Sequence, residues 1–91
     1  MTRAMALELA PDVRANCVCP GYVDTDMVRR DWIDKADDPV GLEKILCDYA
    51  PMKRMANPEE IAGSVLYLAS AESGFVTGAA LQIDGGSTAG R

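Results

Sequence analysis

Apolar positions recur along this chain with two different periods, and each change of period marks a new element. From Met1 to Leu9, Met1, Met5 and Leu9 fall four apart with Ala4, Ala6 and Leu7 beside them, a stripe of strong helix formers that ends near Pro11-Asp12. No capping side chain precedes the stripe, which reads as a helix already running at residue 1 and as the sign of a longer parent chain. Val13 to Cys19 is a short, mostly apolar run with β-branched residues, closed by Pro20-Gly21, and predicts a buried strand. Asn16 within it must find hydrogen-bond partners if it is buried, a structural duty rather than a chemical one.

The next stretch, Asp24 to Asp38, is polar but holds Met27, Val28, Trp32 and Ile33 at spacings that suit a short helix, with Asp34 to Asp38 as a turn. Asp38-Pro39 offers a capping side chain before a proline at the first helical position. Leu42, Ile45, Leu46 and Tyr49 then follow at amphipathic spacing until Pro51. Asn57-Pro58-Glu59-Glu60 starts a further helix: Asn57 caps, Pro58 presets the first turn, and Glu60 stands where a capping-box acid reaches back. Ile61, Ala62, Val65, Leu66, Leu68 and Ala69 give that helix a broad apolar face, and Gly63 within it suggests close packing. Ala79 to Asp84, between Thr77-Gly78 and Gly85-Gly86, predicts a second strand.

The order is helix, strand, helical insertion, helix, strand. Short apolar strands joined through helices imply a parallel sheet with a right-handed crossover. Two parallel strands lack cover on a face and at an edge, so the pattern describes part of an α/β domain.

Composition narrows the classes of function. The 91 residues carry a formal net charge of −5, no histidine and 48% apolar side chains. A chain of this length supports at most one domain, and its apolar content argues against disorder. The acidic balance excludes a nucleic-acid or anionic-membrane surface, and no apolar run approaches the ~20 residues of a bilayer span. With no signal-peptide pattern at its start, the chain is expected to be cytoplasmic. Three cysteines, Cys17, Cys19 and Cys47, suit a reducing compartment. Cys17 and Cys19 share one strand face and read either as two metal ligands lacking a completing set or as small buried apolar side chains. The expectation is that no metal is bound.

The segment with chemical content is Cys19-Pro20-Gly21-Tyr22-Val23-Asp24-Thr25-Asp26-Met27, between the first strand and a helix. In open α/β sheets ligands bind beyond the carboxyl ends of strands, so this position suits a binding loop. Proline fixes a turn, glycine lets backbone approach a ligand closely, and Asp24, Thr25 and Asp26 supply oxygens that either cap a helix or hydrogen-bond an amide. Without further context it is a strand-to-helix turn with a cap.

Pro20-Gly21-x-Val23-x-Thr25 resembles the Pro-Gly-x-Val-x-Thr loop of the classical short-chain dehydrogenases/reductases. The resemblance continues through Met52-Lys53-Arg54, Asn57-Pro58-Glu59-Glu60-Ile61-Ala62, Val65 to Ser70, Val76-Thr77-Gly78 and the closing Leu81-Gln82-Ile83-Asp84-Gly85-Gly86. It covers essentially all 91 residues in order and corresponds to the carboxyl-terminal portion of that family. It implies an α/β fold, the carboxyl-terminal part of a single Rossmann-type doubly wound parallel sheet, with substrate-lid helices at about 25–50. It implies NAD or NADP as cofactor, a small-molecule carbonyl or alcohol substrate, and a full-length homodimer or homotetramer. By position, Pro20, Gly21 and Val23 would line the nicotinamide side, Val23 meeting the carboxamide through its main chain. Thr25 would hydrogen-bond the carboxamide or nearby phosphate oxygens, and Met27 would pack close by. Tyr22 falls where the family builds its substrate pocket. Trp32 either walls that pocket or serves ordinary helix packing.

The family's glycine-rich dinucleotide loop has no match here, and its catalytic serine, tyrosine and lysine would fall before residue 1. No catalytic residue is therefore expected within the chain. Tyr49-Ala50-Pro51-Met52-Lys53 has the tyrosine–lysine spacing, but Pro51 disrupts the helical turn that would stack the pair, and it follows the Pro-Gly loop instead of preceding it. The resemblance thus points to part of an oxidoreductase that interconverts a secondary alcohol and a ketone by hydride transfer. The alternative is a truncated, non-catalytic binding or assembly module. Substrate identity and the choice between NAD and NADP are not legible, because the lid varies and the ribose-reading residue lies outside the chain.

Overall fold

In a computed structural model, residues 1–90 form three α-helices, a π-helical segment, a short 3-10 turn and two strands. Helix α1 spans Thr2–Leu9 and strand β1 Cys17–Pro20. A helical turn at 26–27 widens into a π-helix over Val28–Ile33, followed by α2, Pro39–Tyr49, and α3, Pro58–Ala69. The 3-10 turn Ala71–Ser73 leads to β2, Ala80–Ile83. Both long helices begin where their caps predict. Asp38 accepts a hydrogen bond from the Gly41 amide at 3.2 Å, and the Glu60 carboxylate accepts from the Asn57 amide at 2.9 Å.

The strands pair in parallel, Cys17 opposite Ala80 and Pro20 opposite Ile83. Each has a single strand partner among the described residues, so both outer edges of the pair are open. The first strand is shorter than the apolar run Val13 to Cys19 predicts, and it is half-buried rather than buried. The reason lies in Arg14 and Asn16. The Arg14 guanidinium donates to the Leu68 and Ser70 carbonyls at 3.0 and 3.2 Å, to Val76 O at 3.0 Å and to Ser73 Oγ at 3.1 Å. A cation on the terminal carbonyls of α3 satisfies acceptors that the helix itself leaves unpaired. Asn16 donates to Val76 O at 3.0 Å and accepts from the Ala79 amide at 2.9 Å, so its expected partners are present. These side chains hold 13–16 in a loop, and regular pairing begins only at Cys17.

Burial is concentrated away from the sheet. Val28, Ile33, Leu46 and Met55 form the core, with Leu42 and Cys47 packed against it. Val28 and Ile33, five residues apart, both turn inward because a π-helix is wider than an α-helix, and Asp34 N–H bonds Arg29 O at 2.8 Å across that wide turn. No residue of α3 is buried: Leu66 is 70% exposed, and the apolar face that its sequence predicts is largely uncovered. Gly63 does not pack closely, since a β-carbon there would meet nothing within 4 Å. Against β1, α3 leaves a gap of about 230 Å³ lined by Cys17, Val18, Val65 and Leu68.

The radius of gyration is 16.2 Å, against about 12 Å for a compact domain of this length. The accessible surface is 6521 Å², where a folded monomer of 9.7 kDa exposes about 5100 Å². Exposed apolar side chains include Leu7, Ile45 and Leu66 on the helices and Phe75 in the loop before β2.

Candidate functional site

The loop after β1 takes its course from two backbone attachments. Gly21 N–H continues the strand pairing by bonding Ile83 O at 3.0 Å. Two residues later Val23 forms a parallel bridge with Ala56, in which Asp24 N–H bonds Ala56 O at 2.8 Å and Ala56 N–H bonds Tyr22 O at 3.0 Å. In a parallel bridge these bonds belong to the neighbours of the bridged residue. The amide and carbonyl of Val23 therefore face away from Ala56, toward the opposite side of the loop. Gly21 packs closely here against the end of the second strand. A β-carbon on it would lie 3.0 Å from Asp84 Cβ and 3.1 Å from Asp84 Cα, so the close approach is to the end of β2.

Thr25 starts the helical segment. Its hydroxyl accepts a hydrogen bond from the Val28 amide at 3.2 Å and its carbonyl accepts from the Arg29 amide at 3.0 Å. The capping role is thus present, and a hydroxyl that accepts one bond still has a proton to donate. Met27 on the first turn is 59% exposed and lies outside the core. Arg29, not singled out by the sequence, ties the loop to α2. It makes a bidentate pair with Asp24 at 2.7 and 2.9 Å and reaches Glu43 on α2 at 2.8 Å. The guanidinium bond to Asp24 holds that carboxyl below the usual carboxylate range, so the pair stays ionised near neutral pH.

Three aromatic rings converge beside this loop. Tyr22 meets Trp32 edge-on with centroids 6.5 Å apart, and meets Tyr49 edge-on at 5.5 Å. Tyr22 and Trp32, both predicted from the sequence, are brought together; Tyr49 joins them from the end of α2. Two adjoining cavities of about 340 and 330 Å³ open at the carboxyl ends of β1 and β2, sharing Tyr22, Gln82, Asp84 and Ser87 in their walls. Pro20 and Gly21 line the second of these. Val23, Thr25 and Met27 lie on the continuation of the same loop but line neither cavity. In the first, Arg54 and Glu60 face each other in a bidentate pair at 2.7 and 2.9 Å. The Arg54 bond, together with the Asn57 amide, lowers the Glu60 carboxyl to about 2. Asp84 accepts from Thr88 Oγ1 at 2.6 Å and from the Gly86 amide at 3.1 Å, and its carboxyl is lowered chiefly by the Thr88 hydroxyl.

Tyr49 and Lys53 do not form a stacked helical pair. Tyr49 is the last residue of α2, Lys53 adopts a φ of 61°, and its ammonium donates to Asp48 O at 3.3 Å. The Cys19 thiol is pushed up by desolvation first and by neighbouring Cys17 next, the opposite of an activated nucleophile. Among the described residues no group of three or more histidine, cysteine or acidic side chains gathers to hold a metal ion. No helix among them is long and apolar enough to cross a membrane.

The family model described as enoyl-(acyl carrier protein) reductase matches residues 1–88. The chain belongs to the short-chain dehydrogenase/reductase family and has its Rossmann-type α/β architecture. It is 43% identical over 90 residues to the short-chain dehydrogenase fogB of Aspergillus ruber, covering 97% of this chain and 31% of that protein. Among solved structures, a short-chain dehydrogenase family protein from Francisella tularensis superposes with a TM-score of 0.85 at 44% identity, over 98% of this chain and 39% of that one. A carboxyl-terminal deletion mutant of Thermoplasma acidophilum aldohexose dehydrogenase gives 0.86 at 37% identity, over 97% and 40%. The chain spans about a third of the length of the curated relatives it matches.

Proposed function

We propose that the whole protein carrying this chain is an NAD(P)-dependent oxidoreductase that interconverts a secondary alcohol and a ketone, and that this chain supplies the nicotinamide end of its cofactor site. One observation carries the reading. The Val23–Ala56 bridge turns the Val23 amide and carbonyl out of the bridge, side by side on one face of the loop. A carboxamide has an N–H donor and a C=O acceptor, so this pair is its complement. The donor set fits a nicotinamide.

When bound, the nicotinamide supplies or takes up the hydride. The residues of this chain hold and orient. Val23 fixes the carboxamide through two main-chain bonds, and the Thr25 hydroxyl, anchored by the Val28 amide, donates its proton to the carboxamide or to a phosphate oxygen. Pro20 and Gly21 would line the nicotinamide side, and Met27 would pack close by. Tyr22 would wall the substrate together with Trp32, which lies in the lid built from residues at about 25–50. Such positioning turns an encounter into a near-unimolecular step. The groups that move the proton, a serine, a tyrosine and a lysine by the family resemblance, lie outside residues 1–91 in this reading, which leaves the chain on its own without turnover.

The uncovered apolar faces of α3 and of the open strand edges support cover by the rest of the protein and by further copies, as a homodimer or homotetramer. Titration of the whole protein with NADH and NADPH, followed by nucleotide fluorescence, is expected to give saturable binding of at least one. Absence of binding by both contradicts the proposal.

A further inference from the structure

One residue grips the loop after Val23 at two successive positions. The Arg29 amide bonds the Thr25 carbonyl at 3.0 Å, and the Arg29 side chain returns to Asp24, Nε to Oδ1 at 2.7 Å and Nη2 to Oδ2 at 2.9 Å. Its remaining arm, Nη1, lies 2.8 Å from Glu43 Oε1 on α2. The planar guanidinium is therefore engaged by two carboxylates at once, one on the loop and one on a separate helix. Glu43 fixes where the fork stands, and the fork fixes where Asp24 stands.

The position of Asp24 bears on the way Val23 faces. A peptide unit is rigid, and the unit that carries the Val23 carbonyl also carries the Asp24 amide. That amide bonds Ala56 O at 2.8 Å, while the unit on the other side of Val23 is held through Tyr22 O by the Ala56 amide at 3.0 Å. The Val23–Ala56 bridge is isolated, with no ladder continuing from it. A lone bridge on a loop is among the first parts of a fold to open. A fixed Asp24 side chain narrows the arrangements left to the adjoining peptide unit. The side chains of Arg29, Asp24 and Glu43 are between 35 and 39% exposed, so the pairs add little to global stability. Their consequence is local.

We propose that Arg29 is a positioning residue of the cofactor site: anchored by Glu43, it holds Asp24 and so keeps the Val23 amide and carbonyl turned toward the nicotinamide carboxamide. The proposal rests on the oxidoreductase reading and deepens it. Arg29 touches neither cofactor nor substrate in this account and acts through the main chain at 23–25.

The test compares two ligands of the whole protein by calorimetric titration. One is the cofactor that binds, NADH or NADPH; the other is ADP-ribose or its 2′-phosphate, which matches the cofactor but lacks the nicotinamide. In Arg29→Met the dinucleotide affinity is expected to fall about fivefold, the upper range for an exposed pair with bidentate geometry and a third partner. ADP-ribose is expected to bind as it does to the unaltered protein. Asp24→Asn, in which one carbonyl still accepts, is expected to show the same selective loss at smaller size, and it decides the matter where Arg29→Met does not fold. The double variant is expected to lose no more than Arg29→Met alone, because both changes break one network. A purely structural role would lower both affinities together, or the thermal midpoint alone. Unchanged dinucleotide affinity in either single variant, equal losses for the two ligands, or additive losses in the double variant overturns the inference and leaves the oxidoreductase reading intact. Failure of the unaltered protein to bind any of these nucleotides overturns both.

Discussion

Gly21 lies against Asp84 so closely that a β-carbon on it would sit 3.0 Å from Asp84 Cβ. The contact joins the first residue past β1 to the first residue past β2, at the end of the sheet where the cavities open.

Gly21→Ala is accordingly expected to spread the two strand ends. Because the obstructing atoms are backbone and Cβ, with no flexible tip to yield, overpacking should cost about 1–3 kcal/mol. Thermal unfolding of the whole protein measures this, and an unchanged midpoint contradicts it.

Thr25 has two duties that separate by substitution. Thr25→Val removes the oxygen that caps Val28 N–H, which costs about 1 kcal/mol. In the proposed function it also removes the donor to the cofactor, so nucleotide affinity is expected to fall by more than the stability loss explains. Thr25→Ser should recover both. A lowered midpoint with unaltered nucleotide affinity would reduce Thr25 to a helix cap.

Arg14 holds the other end of the sheet. Arg14→Met removes the guanidinium bonds to the Leu68, Ser70 and Val76 carbonyls, each of which keeps a second donor in Ser73 or Asn16, and a loss of about 1–2 kcal/mol is expected. Arg14→Lys should rescue little, since one ammonium cannot reproduce a planar fork that reaches several acceptors. Urea unfolding of the variants gives the comparison, and full rescue by lysine would contradict the assigned geometry.

Glu60 gives the protein a specific acid limb. Its folded-state carboxyl is lowered from 4.5 to about 2, by Arg54 first and by the Asn57 amide second. A lowered folded value means that the stabilisation is fully present above about pH 4.5 and is lost as pH falls toward 2. Both partners are partly exposed, so salt should weaken the effect. Glu60→Gln is expected to flatten the stability profile between those pH values; an identical profile would show the pair to be energetically idle.

The bounds of α2 and α3 were legible because their signals are local: Asp38 before Pro39, and Asn57-Pro58 with Glu60 three residues from the cap. The start of β1 was not, because it is set by Arg14 and Asn16 reaching partners 54 to 63 residues away. Arg29 escaped for the same reason, since Glu43 approaches it only once α2 has folded back. Gly21 reads from the sequence as a place where backbone approaches a ligand; its contact with Asp84 is not legible, because register between β1 and β2 is a property of the pair. Gly63 misled, since a glycine on a helix face without cover has nothing to pack against. Tyr49 read as a helix end, and only the fold carries its ring to Tyr22.

The account turns on the Val23 main chain, and one measurement reaches it directly. In the whole protein labelled with ¹⁵N-valine, saturation with the cofactor that binds is expected to shift the Val23 amide resonance strongly, while those of Val13, Val40 and Val65 stay in place. Binding that saturates with the Val23 amide unmoved would contradict the claim that this residue holds the carboxamide.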